Sequence, residues 1–390
     1  MRWIILTGEY PPQPGGVAEY TRTLARGLAQ AGDAVTVIAP ELAAAPPAEL
    51  PADEGVEVYP LKGGFSWRGQ AQLRRILRAR PPDSLLVEYT PYAFGWKAMN
   101  LPMAWRLAHE PGAAMAVMFH EVHYPLERGQ PWRLRLLAQA HRRMAAWLAS
   151  AARLTLVSTS AWIPLLRQLA PAAQPVCLPV PSSLPDQAEA RRVREIRCQL
   201  AAGDELLLGH FGTYGAPIGD MLDAILPEVL ASRPAGRLCL LGRHSEAFAA
   251  RLTQRHPRLA ERISARGGLG EQELANHLAA CDLLLQPYPD GVTTRRSSLM
   301  AGLALGRPIV TNRGSLTEPF WQEAKAVWLL EAAAPQAWSA AVWALAEASS
   351  RRQLGARGRA YYQTHFSCAQ AIARLRALAG GALPLTRGQS

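Results

Sequence analysis

One segment shows the organisation of this chain most clearly: Gln286-Pro-Tyr-Pro-Asp-Gly-Val-Thr-Thr-Arg-Arg-Ser-Ser-Leu-Met-Ala-Gly-Leu-Ala-Leu-Gly-Arg-Pro-Ile-Val-Thr-Asn312. Its pattern predicts a buried strand over residues 282–286, a polar loop with two adjacent arginines, a helix over 297–305 and a second strand. A loop that leads into a helix N-terminus beside fixed cations is suited to bind an anion. We expect this anion to be a diphosphate.

The same alternation of strand and helix extends along most of the chain. The N-terminus predicts a strand, a glycine-containing loop, a helix over 17–31 and a second strand, which is the start of a parallel doubly wound sheet. A proline-rich segment, 179–185, marks a linker before a second such series. The predicted strands are 3–7, 34–39, 56–61, 84–89, 114–120, 154–158 and 176–178, then 206–211, 237–241, 263–265, 282–286, 308–311 and 326–330.

The length of 390 residues also favours two domains over one. We therefore expect an α/β fold with two Rossmann-like, doubly wound parallel-sheet domains and a cleft between them. The predicted boundaries are an N-terminal domain at 1–180, a C-terminal domain at 181–368, and a C-terminal helix and tail at 369–390.

Charge and cysteine content limit the possible partners. The net charge of +11 favours anionic partners, although a high arginine and alanine content is also typical of GC-rich genomes. Nucleic-acid binding is not expected, because the arginines are dispersed and no recognised module is present. The five cysteines are scattered without the spacing of a zinc or redox motif, which indicates a reducing cytoplasm.

Any membrane contact is expected to be peripheral, because no apolar run approaches the roughly 18 residues of a membrane span. Residues 132–148 predict a basic amphipathic helix, with Leu134, Leu137, Ala138, Ala145 and Leu148 near one face. Such a helix could lie on an anionic membrane surface. The alternative is a helix packed on the core with a charged outer side.

Six segments, in this order along the chain, resemble the GT-B glycosyltransferases of the retaining family-4 type. They are Glu9-Tyr-Pro-Pro-Gln-Pro-Gly-Gly-Val-Ala-Glu-Tyr20, His120-Glu121, Gly212-Thr-Tyr-Gly215, Leu305-Gly-Arg-Pro-Ile-Val-Thr311, Gly314-Ser-Leu-Thr-Glu318, and the segment from Leu354 to Ser367. The resemblance implies transfer of a sugar from a nucleoside diphosphate sugar to a glycan or lipid-linked acceptor, with retention, in polysaccharide or glycoconjugate synthesis.

Two features depart from that family's pattern. Its pair of glutamates, eight residues apart around the donor loop, is replaced by Thr293 and Ala301, and the segment 215–219 has no cation for the diphosphate. We infer that the two arginines of the donor loop supply the missing charge. The alternative is a catalytically disarmed GT-B protein that acts as a nucleotide-sugar sensor or as a partner subunit.

On the acceptor side, Gly15 and Gly16 let backbone N–H groups approach an anion, or simply form a tight turn. Glu19, one turn into the next helix, is placed to touch an acceptor hydroxyl, or is a solvated charge on the helix face. The resemblance gives His120 a catalytic position near the donor sugar, where a structural histidine is the alternative. His123 is a weaker candidate for the same role.

On the donor side, Arg295 and Arg296 are planar, permanently charged groups suited to phosphate oxygens, and Ser297 can cap the helix that follows. Ser298 is a second candidate for this cap. An arginine pair on a surface loop can also be merely solvated. Thr213 and Tyr214 offer hydroxyls at the end of a strand.

The resemblance places Glu318 near the donor, although it could instead cap a helix. No Asp-x-Asp motif occurs, so we expect neither a metal nor a cofactor besides the sugar donor.

Overall fold

A computed structural model describes residues 1–41, 53–110, 114–126, 128–232, 235–331 and 333–381. The chain forms two compact units. The first contains Met1–Val180 and the C-terminal segment that starts at Cys368, and the second contains Pro181–Ser367. Among the helices of these described ranges, none combines the length and the hydrophobicity that crossing a membrane requires.

The first unit is built on a parallel sheet of seven strands in the order β3-β2-β1-β4-β5-β6-β7. This order, with the first strand in the middle, is that of a doubly wound sheet. Its elements are β1 (Arg2–Thr7), α1 (Gly16–Gln30), β2 (Ala34–Pro40), β3 (Val56–Leu61), α2 (Trp67–Ala79), β4 (Ser84–Tyr89), α3 (Leu101–Ala108), β5 (Met115–Phe119), α4 (Trp132–Ala151), β6 (Leu154–Val157), α5 (Ile163–Leu169), β7 (Val176–Cys177) and α14 (Cys368–Ala379), with short 3-10 turns at Pro91–Phe94, Trp96–Ala98 and Ser160–Trp162.

The second unit repeats the plan with a parallel sheet of six strands in the order β10-β9-β8-β11-β12-β13. Its elements are α6 (Ala190–Leu200), β8 (Leu206–Phe211), α7 (Ala216–Ser232), β9 (Gly236–Leu241), α8 (Ser245–Arg255), a 3-10 turn (Pro257–Arg262), β10 (Ile263–Arg266), α9 (Glu271–Ala280), β11 (Leu283–Gln286), α10 (Ser297–Ala304), β12 (Ile309–Asn312), α11 (Phe320–Ala324), β13 (Trp328–Leu330), α12 (Pro335–Ala344) and α13 (Ala348–His365).

Each sheet is buried on both faces, which explains why its strands are continuous apolar runs. Successive side chains of a strand point to opposite faces. In β1, Trp3 and Ile5 pack into one core of the first unit, while Ile4 and Leu6 pack into the other. The second unit likewise has two cores.

The chain returns to the first unit through α14, which packs on α1. A fully buried carboxylate, Asp33, fixes this return. It accepts a hydrogen bond from Trp3 Nε1 at 3.2 Å and forms an ion pair with Arg376 Nε of α14 at 3.1 Å. The C-terminal helix, predicted as a separate segment, is therefore part of the first unit's packing.

The basic helix predicted over 132–148 is α4, and its two ends differ in burial. Ala138, Ala145 and Leu148 of the predicted stripe are buried, and α4 contributes to one of the first unit's cores. In its first turns, however, Trp132 is 68% exposed and Leu136 is 53% exposed. Most of α4 is thus a core helix, while its N-terminal end presents apolar side chains to solvent.

Candidate functional site

In a parallel sheet, the loops that follow the strands gather at the carboxyl edge, where doubly wound proteins bind ligands. All the candidate residues lie in such loops or at the starts of the helices behind them. In the first unit they follow β1 and β5. In the second unit they follow β8, β11 and β12.

His120 follows β5 and is held by a buried carboxylate. Its Nε2 lies 2.7 Å from Oε2 of Glu88, a fully buried residue of β4. The ring of Tyr20 packs edge-on against the imidazole of His120, with 4.9 Å between the ring centroids. The backbone is fixed as well, because Trp162 Nε1 donates a hydrogen bond to the carbonyl of His120 at 3.2 Å. Glu88 therefore orients the imidazole, and a carboxylate partner at Nε2 assigns the proton to that nitrogen.

Sequence reasoning missed Glu88, although the strand carries a signal for it. Glu88 is the acid in an otherwise apolar run, Leu85-Leu86-Val87-Glu88-Tyr89, and a buried acid requires a partner. His123, the weaker candidate, lies on the following loop with its Nδ1 2.8 Å from the carbonyl oxygen of Tyr124. Burial lowers the pKa of His123.

The glycine loop before α1 already holds an anion, which is the side chain of Glu9. Glu9 Oε1 accepts hydrogen bonds from the N–H groups of Val17 and Ala18, both at 3.1 Å, in the first turn of α1. A carboxylate at this position satisfies N–H groups that lack helical partners and complements the helix dipole. The expected anion site at Gly15 and Gly16 is therefore occupied by the protein's own carboxylate.

The two glycines have different surroundings. A Cβ on Gly15 would lie 2.2 Å from Glu9 Oε1, whereas a Cβ on Gly16 would meet no atom within 4 Å. Only Gly15 is required for the approach of Glu9. Glu19, further along α1, is exposed.

Gly15→Ala is expected to expel the Glu9 carboxylate from the helix terminus and to lower the free energy of unfolding by about 1–2 kcal/mol, as for a lost cap. The backbone at Gly15 is extended, so the effect is steric. Urea denaturation measures it, and Gly16→Ala is the matched control with no expected loss. The cost should largely disappear when Gly15→Ala is made in a Glu9→Ala background, and a full additional cost there would contradict this account.

The arginine pair lies on the loop between β11 and α10, and one carboxylate neutralises part of its charge. Arg295 and Arg296 both form an ion pair with Asp290, so two cations share one anion. The guanidinium of Arg296 also stacks over the ring of Tyr288 at 4.6 Å. Burial and the neighbouring Arg295 lower the pKa of Arg296.

The helix behind this loop begins without the predicted serine cap. Its cap residue is Arg296, which makes no side-chain cap hydrogen bond, and Ser297 is already the first helical residue. Ser298, in the same turn, has its hydroxyl 2.9 Å from that of Tyr288. The prediction that Ser297 caps α10 is therefore wrong, and the positive end of the helix lies beside the two arginines.

Glu318 follows β12 and is hydrogen-bonded to the arginine loop, which is the loop between β11 and α10 that carries Arg295 and Arg296. Its Oε1 accepts hydrogen bonds from the N–H of Thr294 at 3.1 Å and from Thr294 Oγ1 at 2.6 Å, and its Oε2 accepts one from Trp321 Nε1 at 2.9 Å. Glu318 is only 3% exposed. In this arrangement Glu318 anchors the residue directly before Arg295.

The backbones of the two loops also cross closely. Gly291 has a φ of +87°, and a Cβ there would lie 2.2 Å from the backbone nitrogen of Gly314. Only glycine tolerates both the left-handed conformation and this approach. The loop after β11 is thus packed directly on the loop after β12.

Thr213 and Tyr214, after β8, are placed differently. Thr213 is exposed, whereas Tyr214 is buried with its hydroxyl 3.2 Å from the carbonyl oxygen of His210 and 3.1 Å from that of Leu241. We expected the hydroxyls of Thr213 and Tyr214 to contact the donor, but that of Tyr214 is hydrogen-bonded to these backbone carbonyl oxygens. Burial raises the pKa of Tyr214 well above its usual value.

Two family models match the chain in succession. Residues 14–169 match the model described as Glycosyltransferase Family 4, and residues 206–348 match the model described as Glycosyl transferases group 1. Together they span most of both units. The chain belongs to the group 1 glycosyltransferases of the GT-B fold.

Solved structures share this architecture at low sequence identity. A sucrose-phosphate synthase from Thermosynechococcus elongatus superposes with a TM-score of 0.74 at 17% identity, over 98% of this chain and 100% of its own. HepE of Anabaena, solved with UDP-glucose, gives 0.72 at 16% identity, and WaaG, a glycosyltransferase involved in lipopolysaccharide biosynthesis, gives 0.67 at 17%, each with the same coverage of both chains. No curated protein matches the chain in sequence.

In this glycosyltransferase, the two residues that replace the glutamates of the family pattern, Thr293 and Ala301, are almost inaccessible to solvent. Thr293 is fully buried and Ala301 is 1% exposed. Within the described ranges, Thr293 Oγ1 has no hydrogen-bond partner, which is rare for a buried hydroxyl. The neighbouring residue Thr294 contacts a carboxylate, because its Oγ1 donates a hydrogen bond to Oε1 of Glu318 at 2.6 Å.

No group of three or more His, Cys, Asp or Glu side chains within the described ranges is arranged to hold a metal ion.

Proposed function

We propose that the protein transfers a sugar from a nucleoside diphosphate sugar to a glycan or lipid-linked acceptor, with retention of the anomeric configuration. In this proposal the second unit holds the diphosphate of the donor. The first unit holds the acceptor and contributes His120. The observation that carries the proposal is the pair of arginines at the uncapped start of α10.

Leaving-group stabilisation is the role we assign to this pair. When the glycosidic bond breaks, negative charge develops on the diphosphate, and preorganised cations with helix N–H groups lower the energy of that state. Arg295 and Arg296 supply two fixed cations, and α10 supplies the N–H groups of its first turn. We propose that no metal or other cofactor is needed, because these groups provide the positive charge.

Asp290 is then the counterion that the diphosphate replaces. It contacts both guanidinium groups and holds them on one side of the loop. A diphosphate carries more negative charge and more acceptor oxygens than one carboxylate, so it competes effectively for the pair. In this proposal Asp290 holds the two arginines together on the loop until a diphosphate replaces it.

His120 fits a role at the reacting sugar. Glu88 fixes the ring and its tautomer, which presets the imidazole for a hydrogen bond to a substrate hydroxyl. This arrangement supports the catalytic position that the family resemblance gave to His120.

The solved relatives support the substrate classes. HepE was solved in complexes with UDP and with UDP-glucose, which favours a nucleoside diphosphate sugar as the donor here. WaaG, from lipopolysaccharide biosynthesis, favours a glycolipid-type acceptor and a role in polysaccharide or glycoconjugate synthesis.

Peripheral contact with an anionic membrane at its cytoplasmic face is part of the proposal. The first turns of α4 expose Trp132 and Leu136, which flank Arg133 and Arg135 in the sequence, and both arginines are exposed as well. Aromatic and aliphatic side chains among arginines suit the boundary between lipid headgroups and acyl chains. This surface would bring the enzyme to a lipid-linked acceptor.

A second candidate function is a disarmed GT-B protein that binds nucleotide sugars without turnover. Thr293 and Ala301, which replace the two acids of the family pattern, favour it. Both candidates bind the diphosphate, so only turnover separates them. Binding of one nucleoside diphosphate without hydrolysis or transfer, over a broad panel of donors and acceptors, would favour the disarmed protein.

A thermal-shift screen against UDP, GDP, ADP and TDP tests the donor site. One nucleotide at about 100 times Kd is expected to stabilise the protein by about 2.7 kcal/mol. Arg295→Ala combined with Arg296→Ala should abolish this stabilisation. Asp290→Asn, which removes the competing carboxylate, should strengthen binding severalfold.

The matched control replaces two exposed arginines of α6 in the same unit, Arg191→Ala with Arg194→Ala, and should bind as the native chain does. If no nucleotide stabilises the native protein, the donor site assigned here is wrong. If the nucleotide still stabilises the Arg295/Arg296 variant, the diphosphate binds elsewhere.

A further inference from the structure

The first unit contains a pocket of about 450 Å³ that the donor chemistry does not use. It opens at the carboxyl edge of the sheet, among the loops that follow β1, β2, β3 and the 3-10 turn after β4. Glycines form much of its lining, and Trp96 forms one wall. The polar side chains on its lining are Gln13, Glu41 and Ser66.

Trp96 is 43% exposed, yet its ring packs against other side chains of the first unit. Trp67 packs edge-on against it at 5.5 Å between centroids, and the guanidinium of Arg106 lies over Trp67 at 4.4 Å. Arg106 Nη1 in turn donates a hydrogen bond to Oε1 of the buried Gln70 at 2.9 Å. This chain of contacts fixes the ring before any ligand arrives, which lowers the entropic cost of binding.

The backbone that carries Trp96 is strained. Trp96, Lys97 and Ala98 have φ values of 54°, 54° and 67°, a left-handed conformation that costs each non-glycine residue about 1–3 kcal/mol. The side-chain amide of Asn100 holds the turn in place by donating to the carbonyl oxygens of Phe94 at 2.8 Å and Phe65 at 3.1 Å. Strain that is maintained by buried hydrogen bonds is typical of ligand sites.

We propose that this pocket binds a pyranose ring of the acceptor glycan, with the apolar face of the sugar stacked on Trp96. A pyranose has one face of C–H groups and a rim of hydroxyls, which matches an indole wall beside a carboxylate, an amide and a hydroxyl. The Glu41 carboxylate disfavours an anionic ligand such as a phosphate. Calling the bound sugar the acceptor rests on the proposed function, whereas sugar binding itself does not.

Saturation-transfer NMR with maltotriose, cellotriose, chitotriose and mannotriose tests the site on the full chain. At least one trisaccharide is expected to bind, with the strongest transfer to its ring C–H protons. Trp96→Ala should weaken that binding at least tenfold, and Glu41→Gln should weaken it less. The control Trp105→Ala should bind as the native chain does, because Trp105 is 49% exposed on α3 but does not line the pocket.

Two results overturn the proposal: no trisaccharide binds the native protein, or Trp96→Ala binds as strongly as the native protein. Vesicles of phosphatidylcholine with phosphatidylglycerol test the membrane instead. Vesicle binding that falls equally in Trp96→Ala and Trp105→Ala, without trisaccharide binding, would make this aromatic surface a lipid contact and overturn the sugar site.

Stabilisation by the nucleotide identified in the thermal-shift screen keeps the two proposals distinct. It should persist in Trp96→Ala, since the donor site lies in the other unit. Trisaccharide binding without any nucleotide binding would contradict the proposed function while leaving this pocket intact.

Discussion

Glu318→Ala is expected to lower the free energy of unfolding by about 3 kcal/mol and to weaken, more than tenfold, binding of the nucleoside diphosphate that stabilises the native chain. The substitution leaves a buried indole N–H and the N–H and hydroxyl of Thr294 without their carboxylate. A buried donor left without its acceptor costs about 1–3 kcal/mol, so three donors at the low end of that range account for about 3 kcal/mol. Binding falls because Thr294 directly precedes Arg295, so its release frees the arginine loop. Urea denaturation and isothermal titration with the nucleotide identified by the thermal-shift screen measure the two effects.

Glu323→Ala is the matched control, because Glu323 is an exposed glutamate on α11, the short helix that follows Glu318. It should change stability by less than about 0.5 kcal/mol. Glu318→Gln keeps one acceptor oxygen and should recover part of the loss. Native-like unfolding and native-like nucleotide binding by Glu318→Ala would show that Glu318 does not anchor the loop.

The architecture could be predicted because each strand and turn of a doubly wound sheet has a recognisable local sequence pattern. Every predicted strand is present, with bounds shifted by two residues at most. Strands that are buried on both faces are short apolar runs, and the loops between them contain the turn residues that end such runs. The role of α14 could not be predicted in this way. It depends on contacts between residues that are far apart in sequence, which are the apolar side chains of α14 in the core shared with α1 and the ion pair between Arg376 and Asp33.

The candidate site was predicted in part for the same reason. The arginine loop and His120 lie directly after strands, so their place at a sheet edge follows from the order of elements. Their partners do not follow from it. Glu88 reaches His120 from the neighbouring strand, 32 residues earlier in the chain, and Asp290 turns back onto the arginines.

The protein's own carboxylates occupy both places where the sequence predicted a bound anion. Glu9 binds the first turn of α1, and Asp290 binds the arginine pair. N–H groups and guanidinium groups that are fixed in place are costly to leave without an anion, so a carboxylate stabilises the loops when no substrate is bound. The two sites differ in what holds the anion, since only the second contains cations that a diphosphate can share.

A fall in pH from about 6.5 to about 4 is expected to destabilise the fold, and His210 is a main cause. Burial lowers the pKa of His210 to about 4, and the same effect lowers the pKa of His141 to about 4. Below its ordinary pKa of about 6.5, the unfolded chain takes up a proton that the native chain excludes. The stabilisation by neutral His210 is therefore complete above about pH 6.5, and about 3 kcal/mol is lost as the pH approaches 4.

His210→Asn isolates this contribution. Nδ1 of His210 lies 2.8 Å from the carbonyl oxygen of Leu285 and therefore donates to it, a bond that the asparagine amide can imitate without titrating. Free energies of unfolding from urea titrations between pH 7.5 and 4.5 should fall less steeply in this variant than in the native chain. His244→Asn is the control, because His244 is exposed and its left-handed φ of 68° suits asparagine. Equal slopes for all three proteins would mean that His210 is already protonated in the folded state, against the effect of its burial.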